Sequence, residues 1–276
     1  MSHASTTYDI AQVLGGIETV EAAQDLFHER MDAEHRARIA RIQTPEVLIK
    51  IANAVSLCDP AAIFVNTGTE ADREWIRQHA LDKGEEKALP MPQHTIHFDL
   101  KEEQGRIIDR TFYIVDADEK VSSLALKKLR NEALEEIRSR MAGIMRAKTM
   151  MIGFYMRGPV GAPVSNPALE ITSSAYVSHS AEILYRNAFA AFDREVVRCG
   201  HFYANLHSEG LNRTEDLPQA RVFMDRRYRT TYSCNCTYAG NTLLLKKGNH
   251  RFSVDKAIYE NAGRELAEHM FITGIE

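Results

Sequence analysis

The sequence predicts an α/β protein built on a mixed sheet with flanking helices. Short apolar runs rich in β-branched and aromatic residues alternate with longer segments of helical periodicity, and nothing repeats at a fixed period. The chain has 276 residues, 44% of them hydrophobic and 26% charged, an ordinary globular composition. A chain of this size buries roughly 75% of its unfolded surface, so it needs no disulfide or metal staples. A net charge of −4 offers no basic domain or stripe for nucleic acid. With mean hydropathy −0.33, no stretch reaches the roughly 18 apolar residues of a membrane span. The opening "MSHASTTYDIAQVLGG" has no basic segment followed by an apolar run, and the chain reads as cytoplasmic.

Residues 1–59 read as a helical N-terminal region. "IETVEAAQDLFHERM" and "EHRARIARI" carry apolar residues at near-helical spacing. "TPEVLIKIANAV" starts with Thr44 as a candidate N-cap and Pro45 at the first helical position, where its missing N–H costs nothing. "AAIFVNTG" follows as a short buried strand. Thr69 then opens a helix that stops at Gly84. "EEKALPMPQH", with two prolines, reads as an extended linker into a strand at "TIHFDL". His94 and His97 point to opposite faces of such a strand, a poor metal pair.

"TFYIVDAD" is strand-like. "SSLALKKLRNEALEEIRSRMAGIM" reads as the clearest amphipathic helix, with Ser122 or Ser123 as its cap. "KTMMIGFYM" is a buried strand, "RGPVGAPVSNPA" a Gly/Pro loop, and "LEITSSAYVSHSAEILYRNAFAAF" a strand turning into a helix. "LHSEGLNRTEDLPQARVFMDRRYRTTYSCN" reads as a long polar approach. The four cysteines are too few and too unevenly spaced for a disulfide framework. Cys234 and Cys236 read as two small side chains alternating with Asn235 on a strand.

The chemistry concentrates downstream. In "YAGNTLLLKKGNHRFSVDKAIYENAGRELAEHMFITGI" a small-residue turn leads into an apolar run, two lysines and a helix from about Ser253 to His269. Lysine and histidine converging beside such a turn suit an anionic substrate or a metal. A solvated lysine pair and a helix-end histidine fit the same letters.

"YAGNTLLLKK" followed by "LAEHMFITGI" resembles the signature of the phosphoenolpyruvate carboxykinase family, in its GTP-type or its pyrophosphate-type branch. "GRIIDRTFYIV", "KTMMIGFYMRGPVGAP", "EITSSAYVSHSAEILYR" and "DRRYRTTYSCNCTYAGN" resemble further family segments in the same order, so the likeness spans most of residues 60–276. It implies the substrate-side N-terminal lobe of that fold, acting on oxaloacetate or phosphoenolpyruvate.

The resemblance also implies roles. Arg106 matches the arginine that holds a substrate carboxylate, where a planar guanidinium binds bidentately. Tyr238, Ala239 and Gly240 match the tyrosine turn packed against the substrate. Lys247 and His269 match ligands of the catalytic Mn2+, with Mg2+ accompanying the phosphoryl donor. Lysine ligates only as the neutral amine, so its pKa must fall far below about 10.4. Lys246 matches a second lysine that meets phosphate or enolate charge.

Ala239 replaces a usual glycine, Ser173 a common aspartate, and "LYRNA" a usual "MTRMG", departures that lean toward a divergent branch, the pyrophosphate-using one among them. No G-x-x-x-x-G-K-[ST] occurs in the chain. The expectation is therefore a substrate lobe whose partner is a C-terminal nucleotide-binding lobe. The alternative is a non-catalytic lobe acting as a binding or regulatory partner.

Overall fold

A computed structural model describes residues 14–98, 108–121, 126–163, 165–210 and 217–236. Helix α1 (Val20–Arg30) starts where Thr19 Oγ1 accepts from the Ala22 N–H, and α2 (Ala33–Ile39) where Asp32 accepts from the His35 N–H. Each cap satisfies an amide that the helix itself leaves without a partner. Helix α3 (Pro45–Cys58) starts at Pro45 as expected, but Thr44 makes no cap bond. Its hydroxyl donates instead to Asp193 Oδ1 at 2.5 Å, and Asp193 also accepts from the Gln43 and Thr44 N–H groups. The start of α3 is thus pinned by a carboxylate far along the chain.

Strand β1 (Ala62–Val65) and helix α4 (Glu70–Asp82) follow the sequence reading, with Thr69 capping α4 and Gly84 beyond its end at φ +70°. The expected linker is instead a ribbon: β2 (Lys87–Ala88) pairs antiparallel with β3 (Thr95–Ile96). Pro90 and Pro92 lie in its connection, where the missing N–H interrupts no ladder. His94 Nδ1 lies 2.9 Å from Pro92 O, whereas the His97 ring stacks on Tyr176 at 3.6 Å.

Strand β4 (Thr111–Val115) is as read. The long amphipathic helix expected next is shorter. Residues Leu126–Leu129 form β5, parallel to β4, and helix α5 spans only Arg130–Met141 with Leu129 at its N-cap position. Ladder bonds to β4 outweigh the helical spacing of Leu126 and Leu129, which stay largely exposed. Ser122 and Ser123 lie outside the described residues.

Strand β6 (Thr149–Arg157) and strand β7 (Asn166–Thr172) form an antiparallel pair. Helix α6 (Ala175–Leu184) then stops and β8 (Arg186–Asn187) pairs with β6, so the single expected helix is two, the second being α7 (Phe192–Cys199). The supposed polar approach holds the end of one central strand, β9 (Tyr203–Ser208), and the whole of two more, β10 (Arg221–Asp225) and β11 (Thr230–Cys234).

The nine-stranded sheet runs β1-β6-β7-β9-β11-β10-β4-β5, with β8 beside β6. Pairs β6·β7 and β10·β11 are antiparallel and the others on this path are parallel. Met150, Ile152, Phe154, Leu169, Ile171, Leu206 and Phe223 form one core with buried residues of α1, α3, α5 and α7. The opposite face meets α4 and α6 through Phe64 and Met151 and through Tyr155 and Ala168. Elsewhere on that face the register aligns Glu170 with Asn205, Thr172 with His207, and both β9 residues with Thr231 and Ser233 of β11. All six are at most 1% exposed.

Candidate functional site

Strand direction gathers chain ends at one edge of the sheet. Cys234 lies opposite both Arg221 and Ser208, Val222 opposite Thr111, and Thr172 opposite both Met151 and His207. The ends of β7, β9 and β11 therefore sit beside the starts of β4, β6 and β10. Arg106, Tyr238, Ala239, Gly240, Lys246, Lys247 and His269 lie outside the described residues, as does the helix expected from Ser253. What the described residues supply is the pair of anchor points. A 3-10 turn, Ile108–Arg110, leads directly into β4, and the chain leaves β11 through Asn235 and Cys236.

This exit is tied down. Asn235 has φ +57°, a left-handed conformation that asparagine tolerates, and it ends the strand one residue before Cys236. The expected strand alternation of Cys234 and Cys236 is therefore absent. Cys236 stays buried, its N–H 3.4 Å from Ser208 O and its thiol 3.3 Å from Cys234 O.

His207 Nε2 lies 2.7 Å from the Cys236 carbonyl, and Nδ1 lies 2.6 Å from Thr172 Oγ1. Thr172 Oγ1 also accepts from the Ser174 N–H at 3.0 Å, which leaves its own proton to donate to Nδ1. The network thus assigns the neutral tautomer with the proton on Nε2. Burial penalises the imidazolium and pushes the His207 pKa down to about 4, consistent with that form.

The neighbouring groups complete the edge. Ser173 and Ser208 share a hydroxyl hydrogen bond of 2.9 Å. Glu85 accepts from Ser174 Oγ at 2.6 Å and from the Tyr176 N–H at 2.9 Å, at the start of α6. Burial, with the negative charge of Glu209 next, raises its pKa to about 7. Glu209 in turn pairs with Lys148. Deeper on the same face, Asn205 Nδ2 donates to Glu170 Oε1 at 2.6 Å. Glu170 Oε2 and Asn205 Oδ1 have no hydrogen-bond partner among the described residues. Burial holds the Glu170 pKa well above the usual carboxylate range, so a retained proton turns one of these acceptors into a donor.

Sequence reasoning missed His207 and Thr172 as site-forming residues. A signal was present: in "YANLHS" the apolar Ala204 and Leu206 alternate with Asn205 and His207, the period of a strand with one polar face. Among the described residues no group of three or more His, Cys, Asp or Glu side chains could hold a metal ion, and no helix is long and apolar enough to cross a membrane.

Comparison with known proteins bears on this edge. The family model for the phosphoenolpyruvate carboxykinase N-terminal domain matches residues 50–258. A protein of Thermococcus sibiricus named phosphoenolpyruvate carboxykinase [GTP] is 34% identical over 256 residues, covering 91% of this chain and 40% of that protein. Its namesake from Saccharolobus solfataricus is 39% identical over 228 residues, covering 82% of this chain and 36% of that protein. The namesake from Treponema pallidum is 27% identical over 246 residues. The chain thus spans about 40% of the length of these curated relatives. By the extent of the match and its position, the chain belongs to the phosphoenolpyruvate carboxykinase family and carries its N-terminal domain.

Proposed function

We propose that this chain supplies the carboxylate- and metal-binding half of a phosphoenolpyruvate carboxykinase site, acting with a C-terminal nucleotide-binding lobe. The observation that supports it is topological. Strands β4 and β11 are separated by β10 alone, so the start of one and the end of the other lie two strand spacings apart, about 10 Å. Arg106 is two residues from Ile108, and Tyr238 two from Cys236, each within about 7 Å of its anchor. This proximity of the two anchors supports a reading in which the arginine and the tyrosine turn serve one site.

In this reading Arg106 clasps a substrate carboxylate with two parallel N–H donors. Tyr238, Ala239 and Gly240 line the substrate with close backbone. Lys247 as neutral amine and His269 as neutral imidazole would hold Mn2+, a nitrogen donor pair that leaves further coordination positions for other ligands. When bound, the cation stabilises negative charge on the enolate oxygen. Lys246 adds a second positive charge there. Cleavage of the C–C bond in oxaloacetate releases CO2 and leaves its electron pair in the enolate, whose oxygen then takes the phosphoryl group. The relatives' names, which specify GTP, support it as donor over pyrophosphate.

The test supplies the missing lobe. This chain mixed with the C-terminal lobe of a relative is expected to form phosphoenolpyruvate from oxaloacetate and GTP. Lys247→Ala is expected to lower that rate by about a hundredfold or more. An active mixture indifferent to Lys247→Ala removes the assignment, and no activity with any lobe favours a non-catalytic binding role.

A further inference from the structure

We infer that His207 is a positioning residue that fixes the chain's exit from β11 at Cys236, two residues before Tyr238. The inference rests on the functional reading above only in the role given to Tyr238. The histidine is fully buried in the sheet, and both of its ring nitrogens are used. One nitrogen meets Thr172 at the end of β7. The other reaches past the end of its neighbour strand to the Cys236 carbonyl, two residues before Tyr238.

Of the hydrogen bonds to the Cys236 backbone among the described residues, the one from His207 is the shorter, 2.7 Å against 3.4 Å to Ser208. The left-handed Asn235 immediately before it has already left the ladder. At Asn235 and Cys236, then, regular strand pairing gives way, and the imidazole supplies the short bond that holds the Cys236 carbonyl. The ring is itself aimed by the Thr172 hydroxyl, whose orientation is set in turn by the Ser174 N–H at the start of α6. Three strand ends and a helix start converge on one carbonyl. A histidine present only to fill space would use neither nitrogen so directionally.

The cysteines provide the test within the intact chain. Cys58 ends α3, Cys234 ends β11, and Cys236 lies just past it, all three buried. Alkylation by iodoacetamide under native conditions, followed by peptide mass spectrometry, reports each thiol separately. In His207→Phe, which keeps ring volume but no donor, Cys236 is expected to react about tenfold faster or more, with Cys58 and Cys234 near their wild-type rates. His207→Gln, whose amide reaches the same carbonyl, should return the rate most of the way. Thr172→Val, which frees the ring without removing it, provides an intermediate rate should His207→Phe not fold.

Unchanged Cys236 protection in the folded variants overturns the inference. So does a rise of all three thiols in step, which reports global loosening. In parallel, phosphoenolpyruvate is titrated with Mn2+ into the same proteins mixed with the C-terminal lobe of a relative. Affinity that falls with His207→Phe and recovers with His207→Gln supports a link between the anchor and the substrate turn. Absence of binding to the wild-type mixture overturns the functional reading, while the thiol rates still decide the anchor.

Discussion

On one face of the sheet Ile152, Phe154, Leu169, Ile171 and Leu206 meet four helices, whereas on the other Glu170, Asn205, Thr172, His207, Thr231 and Ser233 are as deeply buried and entirely polar. The first face is held by the non-directional transfer of apolar area out of water. The second is held by hydrogen bonds that fix particular atoms, and each such group is expensive to leave unmade. Burial alone therefore does not distinguish scaffold from site support. The apolar face keeps the sheet together, and the polar face decides where its strands release the chain.

The comparison breaks most visibly on the apolar side. Phe154 is fully buried between Phe189 and Phe192, edge to face with both. Phe154→Ala is expected to cost about 3–5 kcal/mol in denaturant unfolding, and a loss below about 1 kcal/mol would mean that the core closes over the gap. Of similar size is Arg130→Ala, at the far end of that face. It strips the two 2.8 Å hydrogen bonds from the fully buried Asp225 carboxylate, at a cost of about 3 kcal/mol or more.

The polar face should be distinguished by pH, because its two deeply buried titrating groups pull in opposite directions. His207, lowered from 6.5 to about 4, contributes fully above pH 6.5 and loses about 3 kcal/mol as pH falls through that window. Glu170, raised from 4.5, contributes fully below pH 4.5 and loses stability as pH rises toward its folded pKa. Glu170→Gln should therefore unfold less readily than the wild type at pH 8, with the gap narrowing as pH falls toward 4.5. A variant no more stable there would mean that Glu170 does not retain its proton in the folded chain. The smallest effect belongs to neither face. Ile183→Thr, at a 71% exposed position on α6, should change unfolding free energy by less than about 0.5 kcal/mol.

How far the sequence disclosed this structure depended on whether the cause was local. Pro45, Thr69 and Gly84 marked helix ends correctly because proline geometry, a capping hydroxyl and a left-handed glycine act within a turn. Leu126 and Leu129 misled, since their three-residue spacing suits a helix while pairing with β4 made them a strand. Strands β9 to β11 read as polar because half of their side chains are polar and buried, a condition only the assembled sheet creates. The candidate site was legible as a string of motifs, and the support for it was not. His207 acts on Cys236, 29 positions away, through a register that no short window contains.

The strand order also sets a schedule. Strands β4 and β5 are finished by Leu129, yet their neighbour β10 begins only at Arg221, and β10 reaches the rest of the sheet only through β11. On a ribosome adding roughly 5–20 residues per second, that wait of about a hundred residues lasts some 5–20 seconds. Throughout it, β4 has an open side and the apolar Phe112 and Ile114 lack the partner against which they finally pack. Chaperone capture during synthesis is the vulnerability this topology builds in, and it closes when the β10–β11 hairpin, turning at Arg226–Arg229, joins the two halves of the sheet.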